Sequence, residues 1–245
     1  MLGAASLAWM GLSAVVFVAL QFRTAPYGRH EARGWGPSVP SRPAWMVMES
    51  PAVLWPVAAF ATGDRSLVPA LLGALWLLHY VDRAVLWPLR MRLDGKTMPL
   101  AIAAMAFASN CVIDGLVAWS VFHGAPRDVS WLTDPRFVLG VALFLVGYAV
   151  NRWADGVLAG LRAPGETGYR VPRGGLYELV SCPNYLGELI QWTGFALAAW
   201  TLPALAFVVW SASNLVPRAG QHHAWYRSTF EGYPQGRKAL VPFLW

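Results

Sequence analysis

The stretch RAPGETGYRVPRGGLYELVSCPNYLGELIQWTGFALAAW, residues 162–200, decides the fold of this protein. It begins as a polar loop with several glycines and prolines, and it continues into an apolar run that approaches the roughly 20 residues a membrane-spanning helix needs. This run carries Glu178, Asn184, Glu188 and Gln191. Polar groups at membrane depth are costly and usually serve function. Because Asn184 and Glu188 are four residues apart, they share one helix face, and the sequence predicts a polar site inside a membrane helix.

The composition of the chain is that of an integral membrane protein. Of its 245 residues, 56% are hydrophobic, only 13% are charged, and 14 are tryptophan. Soluble domains carry about 25% charged residues. The apolar segments follow one another with short connections, so we expect an all-α membrane protein that forms one domain over residues 1–245.

Seven apolar segments predict seven transmembrane helices. The first has no basic start and no clear cleavage site, so it is interpreted as a retained span and not as a signal peptide. Pro51 and Pro56 are expected to bend the second span. The tail after residue 216 has helical spacing in its first half. The predicted spans are residues 1–20, 44–62, 67–89, 99–121, 136–151, 177–200 and 202–216.

The basic residues predict the orientation of these spans. Of the 19 Lys and Arg residues, 16 fall near the end of the third span, in the loops after the first, third and fifth spans, or in the tail. By the positive-inside rule the N-terminus is outside and the C-terminal tail is cytoplasmic. The net charge of +6 therefore requires no nucleic acid, but it leaves a cytoplasmic face that can hold an anion.

A set of polar residues is predicted to converge in the cytoplasmic half of the bundle. Such a mixture suits a nucleotide, because Arg grips phosphates, Asn and Asp bind ribose or base edges, and Tyr stacks. Neither GxGxxG nor GxxxxGK[ST] occurs in the sequence. The alternative is interhelical hydrogen bonding that only locks the bundle. The residues are Asn151, Asp155, Arg162, Tyr169, Arg170, Asn184, Glu188, Arg218, His222 and Tyr226.

A second polar cluster lies earlier in the chain. Glu49 falls within AWMVMESPAVLWP, and Tyr80 and Arg83 fall within LLHYVDR. A carboxyl group and a phenol that face one cavity can polarise a substrate carbonyl. The alternative places Glu49 at a helix end in the headgroup region and Tyr80 in an interfacial aromatic belt.

Other polar residues carry weaker signals. His222 and His223 are adjacent, which is poor geometry for one metal ion, and no HExxH or CxxC accompanies them, so no metal is expected. Asn110 and Asp114 share a face of the fourth span. They are expected either to contact the cofactor or to pair with a neighbouring helix.

Several long motifs resemble those of the steroid 5α-reductase family. From residue 151 onward these are NRWAD, LRAPGETGYRVPRGGLYELVSCPNYLGELIQWTGFALAAWTLPALAF, RAGQHHAWY and FEGYPQGRKALVPFLW. The resemblance extends to AWMVMESP and LLHYVDR and covers nearly the whole chain. It implies a seven-helix membrane enzyme that uses NADPH to reduce the C4–C5 double bond of a 3-oxo-Δ4-steroid.

The resemblance also implies residue roles. It places Glu49 and Tyr80 at the steroid 3-ketone, matches Arg83 to an active-site arginine, and places the ten residues of the first cluster around NADPH. Residues 1–123 would form mainly the steroid pocket and residues 136–245 mainly the NADPH site. Two positions depart from the family pattern: Met48 replaces a glutamine, and Gln221 replaces the first of three histidines.

Rival interpretations come from other protein classes. Isoprenylcysteine carboxyl methyltransferases have a related C-terminal region and use S-adenosylmethionine. Sterol-ring double-bond reductases share NADPH but differ in substrate. A transporter or lipid-binding protein would also carry intramembrane polar residues. The economy of loops resembles bacterial chains, so we expect several spans in a bacterial inner membrane, with the cofactor side facing the cytoplasm. We also expect a monomer.

Overall fold

The protein is described by a computed structural model that covers residues 1–32, 34–161, 166 and 168–245. Arg162, one of the predicted cofactor residues, and Arg33 lie outside these ranges. Helices dominate the described chain. They are α1 (Leu2–Phe22), α2 (Ser41–Thr62), α3 (Leu67–Val81), α4 (Trp87–Arg90), α5 (Leu100–Phe122), α6 (Pro135–Gly160), α7 (Pro183–Ala199) and α8 (Leu202–Thr229). A π-helical turn, Asp82–Leu86, joins α3 to α4.

Within the described residues, five helical stretches are long and apolar enough to cross a membrane. They are Leu2–Phe22, Ser41–Thr62, Leu67–Arg90, Leu100–Phe122 and Pro135–Gly160. Helix α7 has only 17 residues, and α8, with 28 residues, carries more polar groups. The observed architecture is therefore that of a helical membrane protein, with helices at all seven predicted places.

The sixth and seventh predicted spans differ from the observed helices at their ends. Helix α7 begins at Pro183 instead of Tyr177. Proline suits the first turn of a helix but disfavours helical backbone in the residue before it, and Cys182 has φ −131° and ψ 61°. Glu178, expected within this helix, is exposed in a 3₁₀ turn and accepts a 2.6 Å hydrogen bond from the Gly174 N–H. Helix α8 continues past its predicted end at residue 216 to residue 229, which confirms the helical first half of the tail.

Helix α2 continues through both of its internal prolines. Each proline lacks an N–H, so the carbonyl four residues earlier loses its helical partner. For Pro51 that carbonyl belongs to Val47, which accepts a 2.8 Å hydrogen bond from the Ser50 hydroxyl. For Pro56 it belongs to Ala52, which accepts a 2.8 Å bond from the indole N–H of Trp76 on α3. The hydrogen bond from Trp76 to Ala52 therefore ties α2 to α3 near the predicted catalytic residues Glu49 and Tyr80.

Helices α6 and α7 approach so closely that their backbones touch. A Cβ atom added at Gly147 would lie 2.3 Å from the Gln191 nitrogen and 2.4 Å from the Gly187 carbonyl oxygen. Gly140 and Gly194 form an equivalent contact two turns away, where an added Cβ would lie 2.4–2.6 Å from backbone atoms of the other helix. Small residues at such positions let membrane helices pack backbone to backbone. The glycine contact therefore sets the distance between the polar residues of α6 and α7.

Two short strands and the C-terminal tail fasten the same end of the bundle. Strand β1 (Ser38–Pro40) pairs antiparallel with β2 (Thr97–Pro99), which places the starts of α2 and α5 side by side. The tail returns to the segment before α7, where the Ser181 N–H donates to the Lys238 carbonyl at 2.8 Å and the Lys238 N–H donates to the Leu179 carbonyl at 2.8 Å.

A cluster of large aromatic side chains fills the interior beside α7. Trp192 is 1% exposed and packs against Trp76, Tyr80 and Phe207 with ring centroids 4.8–5.4 Å apart. Each buried aromatic side chain removes about 150–250 Å² of surface from contact with its solvent or lipid surroundings. This cluster fixes the position of Tyr80.

Candidate active site

A cavity of about 350 Å³ lies where the end of α6, the start of α7 and the second half of α8 meet the loop after α1. Its size is within the range of small-molecule sites in proteins. We call it the arginine-rich cavity. Seven predicted cofactor residues line it: Asp155, Tyr169, Arg170, Asn184, Arg218, His222 and Tyr226.

Asn151 and Glu188 belong to the walls behind the cavity. The Asn151 side-chain amide donates to the Asn184 carbonyl oxygen at 3.0 Å, which joins α6 to α7. The Asn184 side-chain amide donates to Asp155 Oδ1 at 3.2 Å. The pair Asn151 and Asp155 on α6 therefore faces the pair Asn184 and Glu188 on α7 across the close contact between these helices.

Arg83 occupies the π-helical turn between α3 and α4 and lines the cavity. Insertions of this kind are frequent at functional sites, because the extra residue changes the direction of nearby side chains. The Arg83 guanidinium lies 3.9 Å from Asp155 Oδ2 and stacks over the rings of Trp45 and Trp87, at 5.0 and 4.7 Å from their centroids. This position connects α3 to the polar residues of α6.

The charge of Arg83 also interacts with the carboxyl groups of Glu49 on α2 and Glu188 on α7. Tyr80 interacts electrostatically with Glu49, Glu188 and Arg83. The two polar clusters predicted from separate parts of the sequence therefore adjoin, and Arg83 lies between them.

Tyr80 lies inside the bundle. It is 7% exposed and its ring stacks on Trp76 and Trp192 at centroid distances of 4.9 and 5.4 Å. Its position does not match an interfacial belt that faces lipid. Glu49 is half-buried on α2, one residue after Met48, whose carbonyl is held by a neighbouring helix.

The two polar residues of α5 have different surroundings. The Asn110 amide donates to the Met48 carbonyl oxygen at 2.8 Å, so it pairs with the neighbouring helix. Asp114, one turn further on, is fully buried, and within the described chain neither of its carboxyl oxygens has a hydrogen-bond partner. Its charge interacts with Glu49 and Tyr80.

The loop after α1 is clamped to α8. Arg218 donates two 2.8 Å hydrogen bonds, one to the Ala25 carbonyl and one to the Tyr27 carbonyl. His30 and His222 stack with a ring nitrogen distance of 2.9 Å. Burial, together with the positive charges of Arg218 and Arg29, lowers the pKa of His30 to about 4, so this ring is neutral at pH 7.

Several cavity residues were not predicted from the sequence. They include Tyr27, Arg29, Trp45, Lys96 and Tyr185. The sequence YGRH, with its glycine between an aromatic and a basic residue, was an available signal, but its arginine was counted only as a loop charge. Over the ranges that the structure describes, no group of three His, Cys, Asp or Glu side chains is arranged to hold a metal ion.

The family model and the individual relatives that match this chain all point to the same protein family. Residues 96–245 match the family described as 3-oxo-5-alpha-steroid 4-dehydrogenase. The chain is 42% identical to 3-oxo-5-alpha-steroid 4-dehydrogenase 1 of Rattus norvegicus, over 94% of this chain and 90% of the relative. It is 39% identical to the Homo sapiens protein of the same name, over 98% and 95%. It is 41% identical to steroid 5-alpha-reductase DET2 of Arabidopsis thaliana, over 93% and 90%.

The similarity extends over nearly the full length of this chain and of its relatives. Oxidoreductases of this kind generally use a nicotinamide cofactor, which the arginine-rich cavity can accommodate. The chain therefore belongs to the 3-oxo-5-alpha-steroid 4-dehydrogenase (steroid 5α-reductase) family and is an oxidoreductase of that family.

Proposed function

We propose that this enzyme reduces the C4–C5 double bond of 3-oxo-Δ4-steroids with NADPH and yields 5α-reduced 3-oxosteroids. The observation that supports this proposal most is the position of Arg83, which lines the arginine-rich cavity and also interacts with Glu49. A nucleotide in the cavity and a ketone near Tyr80 and Glu49 would then be neighbours.

The residues of the cavity fit an anionic, aromatic cofactor. Among the described residues, its walls carry Arg29, Arg83, Lys96, Arg170 and Arg218 but only two carboxylates, from Glu31 and Asp155. The Nε atom of Arg218 is buried and has no hydrogen-bond partner among the described residues. A buried N–H of this kind is costly unless a ligand satisfies it. NADPH, when bound, supplies the hydride that adds to C5.

The cofactor would be held by residues of α6, α7, α8 and the loop before α7. Asn184 and Asp155 form the wall nearest to Arg83, which suits the nicotinamide end. Tyr169 and Tyr226 are aromatic walls on which a base can stack. The proposed set is Asn151, Asp155, Arg162, Tyr169, Arg170, Asn184, Glu188, Arg218, His222 and Tyr226.

Tyr80 and Glu49 would act on the substrate ketone. The Tyr80 hydroxyl donates a hydrogen bond to the C3 oxygen, and Glu49 supports the phenol. This draws electron density from the enone and makes C5 electrophilic. The oxygen of the resulting enolate needs donors that are already in position, and the rings of Trp76 and Trp192 hold Tyr80 in one orientation. A proton from water then reaches C4.

With seven transmembrane spans, the steroid would reach the enzyme from the lipid bilayer and NADPH from the aqueous cytoplasm. We infer an N-terminus outside and a cytoplasmic tail, in a bacterial inner membrane and as a monomer. The steroid enters among the first four spans from the bilayer, since it is lipid-soluble. The charged cofactor enters from the cytoplasm, where the basic loops lie.

Purified protein in lipid nanodiscs tests the proposal. NADPH oxidation is followed by absorbance with progesterone and testosterone, and the products are identified by mass spectrometry against 5α and 5β standards. We expect one 5α-reduced product for each NADPH consumed. A protein that binds NADPH but reduces neither steroid would refute the proposed substrate class.

A second substrate class is favoured by one feature of the sequence. Met48 replaces a glutamine of the family pattern beside Glu49, which changes hydrogen bonding at the ketone end. Other sterol or lipid enones therefore belong in the same assay, with S-adenosylmethionine as the control for methyl transfer. Faster turnover of a non-steroid enone would identify that class as the substrate.

A further inference from the structure

The loop after α1 places one arginine in the wall of the arginine-rich cavity. Arg29 is the central residue of the 3₁₀ turn Gly28–His30, which begins at a glycine with a φ angle of 64°. Hydrogen bonds from Arg218 to the carbonyls of Ala25 and Tyr27 hold this turn on one side, and the His30–His222 pair holds it on the other. The Arg29 backbone is therefore fixed by α8 at both ends.

The Arg29 guanidinium lies among three aromatic rings. It is 4.7 Å from the ring centroid of Tyr226, 4.8 Å from that of Trp225 and 5.2 Å from that of Tyr169. Cation–π contacts orient a guanidinium while leaving its N–H groups free to donate in the plane of the group. Trp225 and Tyr226 belong to α8, so the same helix positions both the loop and the side chain.

The charge of Arg29 has no counter-ion in the described chain. Its Nη1 atom is buried without a hydrogen-bond partner. The groups that raise its pKa are Tyr226, which also accepts a side-chain hydrogen bond from it, Cys182 and Tyr185, and none of these is a carboxyl group. The nearby Glu31 carboxylate instead accepts a 2.9 Å hydrogen bond from Thr97. A buried cation without a partner is costly, and an anion in the cavity would remove that cost.

We propose that Arg29 binds a phosphate group of the cofactor, together with Arg218 on the adjacent wall. This inference depends on the proposed use of a nicotinamide nucleotide. An arginine fork matches phosphate oxygens, and the phosphate can be either the 2′-phosphate that distinguishes NADPH from NADH or the pyrophosphate common to both. The loop after α1 then forms part of the nucleotide site, although it lies far in sequence from the other cofactor residues.

The test compares Arg29→Gln with Arg227→Gln, which removes the same charge from an exposed position at the end of α8. Dissociation constants for NADPH and NADH are measured by titration calorimetry on the full chain in nanodiscs. Loss of one charge-assisted contact weakens binding roughly 10- to 100-fold. We expect such a loss in Arg29→Gln and no change in Arg227→Gln.

The two nucleotides and two fragments identify the phosphate. Adenosine 2′-monophosphate and inorganic pyrophosphate are tested by their effect on the thermal unfolding temperature. If the 2′-phosphate is bound, Arg29→Gln loses affinity for NADPH and for adenosine 2′-monophosphate, while NADH is unaffected. If the pyrophosphate is bound, NADPH, NADH and inorganic pyrophosphate are all weakened. Either pattern supports the inference.

A purely structural role for Arg29 gives a different result. Arg29→Gln would then lower the unfolding temperature of the free protein, yet NADPH would bind with its original dissociation constant, and the inference would be wrong. Arg29→Lys keeps the charge between the rings and should recover part of the affinity. If the unaltered enzyme binds NADPH normally and only the Arg29 prediction fails, the proposed function stands. If the unaltered enzyme binds neither nucleotide, both proposals fail.

Discussion

Replacing Gly147 by alanine tests whether the close approach of α6 and α7 holds the cofactor wall together. The added Cβ would lie 2.3 Å from the Gln191 nitrogen, whereas Cβ atoms in proteins keep at least 3.0 Å from such neighbours. Opening the gap from 2.3 to 3.0 Å moves the helices apart by about 0.7 Å.

A movement of that size breaks the polar contacts between the two helices. The Asn151–Asn184 and Asn184–Asp155 hydrogen bonds are 3.0 and 3.2 Å long. Lengthened by about 0.7 Å, both would exceed the usual hydrogen-bond limit. Overpacking of this kind costs about 1–3 kcal/mol. Each loss of about 1.4 kcal/mol in the binding free energy of the cofactor weakens its binding about tenfold.

Gly156→Ala on the same helix is the matched control. No atom lies within 4 Å of a Cβ at that position, so the substitution removes backbone freedom without a clash and should stabilise α6 by roughly 0.5–1 kcal/mol. Thermal unfolding in nanodiscs and NADPH titration are measured on both variants. If Gly147→Ala is as stable and binds NADPH as tightly as Gly156→Ala, backbone contact between α6 and α7 does not organise the site.

Three further predictions concern single groups. Tyr80→Phe should lower steroid turnover by at least about 100-fold while the NADPH dissociation constant changes little, because only the phenol hydroxyl is removed; normal turnover in steady-state assays would exclude Tyr80 from the chemistry. Asn184→Ala should weaken NADPH binding about 10-fold or more without changing steroid affinity, because the hydrogen bond to Asp155 is lost; titration that shows weaker steroid binding and normal NADPH binding would contradict this placement. The pKa of His30 is lowered to about 4 in the folded protein, so the unfolded state binds the extra proton between pH 6.5 and 4, and stability should fall as the pH decreases through that range. In His30→Gln this part of the pH dependence of the unfolding temperature should disappear, and an identical pH profile would show that the pair with His222 does not contribute.

The helices were predictable from sequence because their signal is local. Continuous apolar composition placed helical segments near residues 1–20, 99–121 and 136–151, and the observed α1, α5 and α6 agree within a few residues, apart from the extension of α6 to residue 160. The ends of α7 and α8 were less accurate. Residues 179–182, just before α7, hydrogen-bond to the tail near Lys238, a contact that composition does not reveal, and α8 continues because its polar second half packs on the loop after α1.

The candidate site was predictable in part. Asn184 and Glu188, and Asn151 and Asp155, were paired correctly on their own helices, since i, i+4 spacing is a property of the sequence alone. That these two faces oppose each other follows from the α6–α7 glycine contact. Arg29 was not identified, because its surroundings consist of Tyr169, Trp225 and Tyr226, which lie about 140 to 200 residues away along the chain.

The amino-acid sequence by itself determined that this protein is a helical membrane protein with two polar clusters, since hydrophobicity and helical periodicity act over a few neighbouring residues. The tertiary structure alone decided that Arg83 lies between those clusters, and that the loop after α1 closes one wall of the arginine-rich cavity. Both arrangements depend on contacts between distant segments: the Arg83–Asp155 pair and the hydrogen bonds from Arg218 to the loop. Such contacts form only when the helices pack, so no local pattern encodes them.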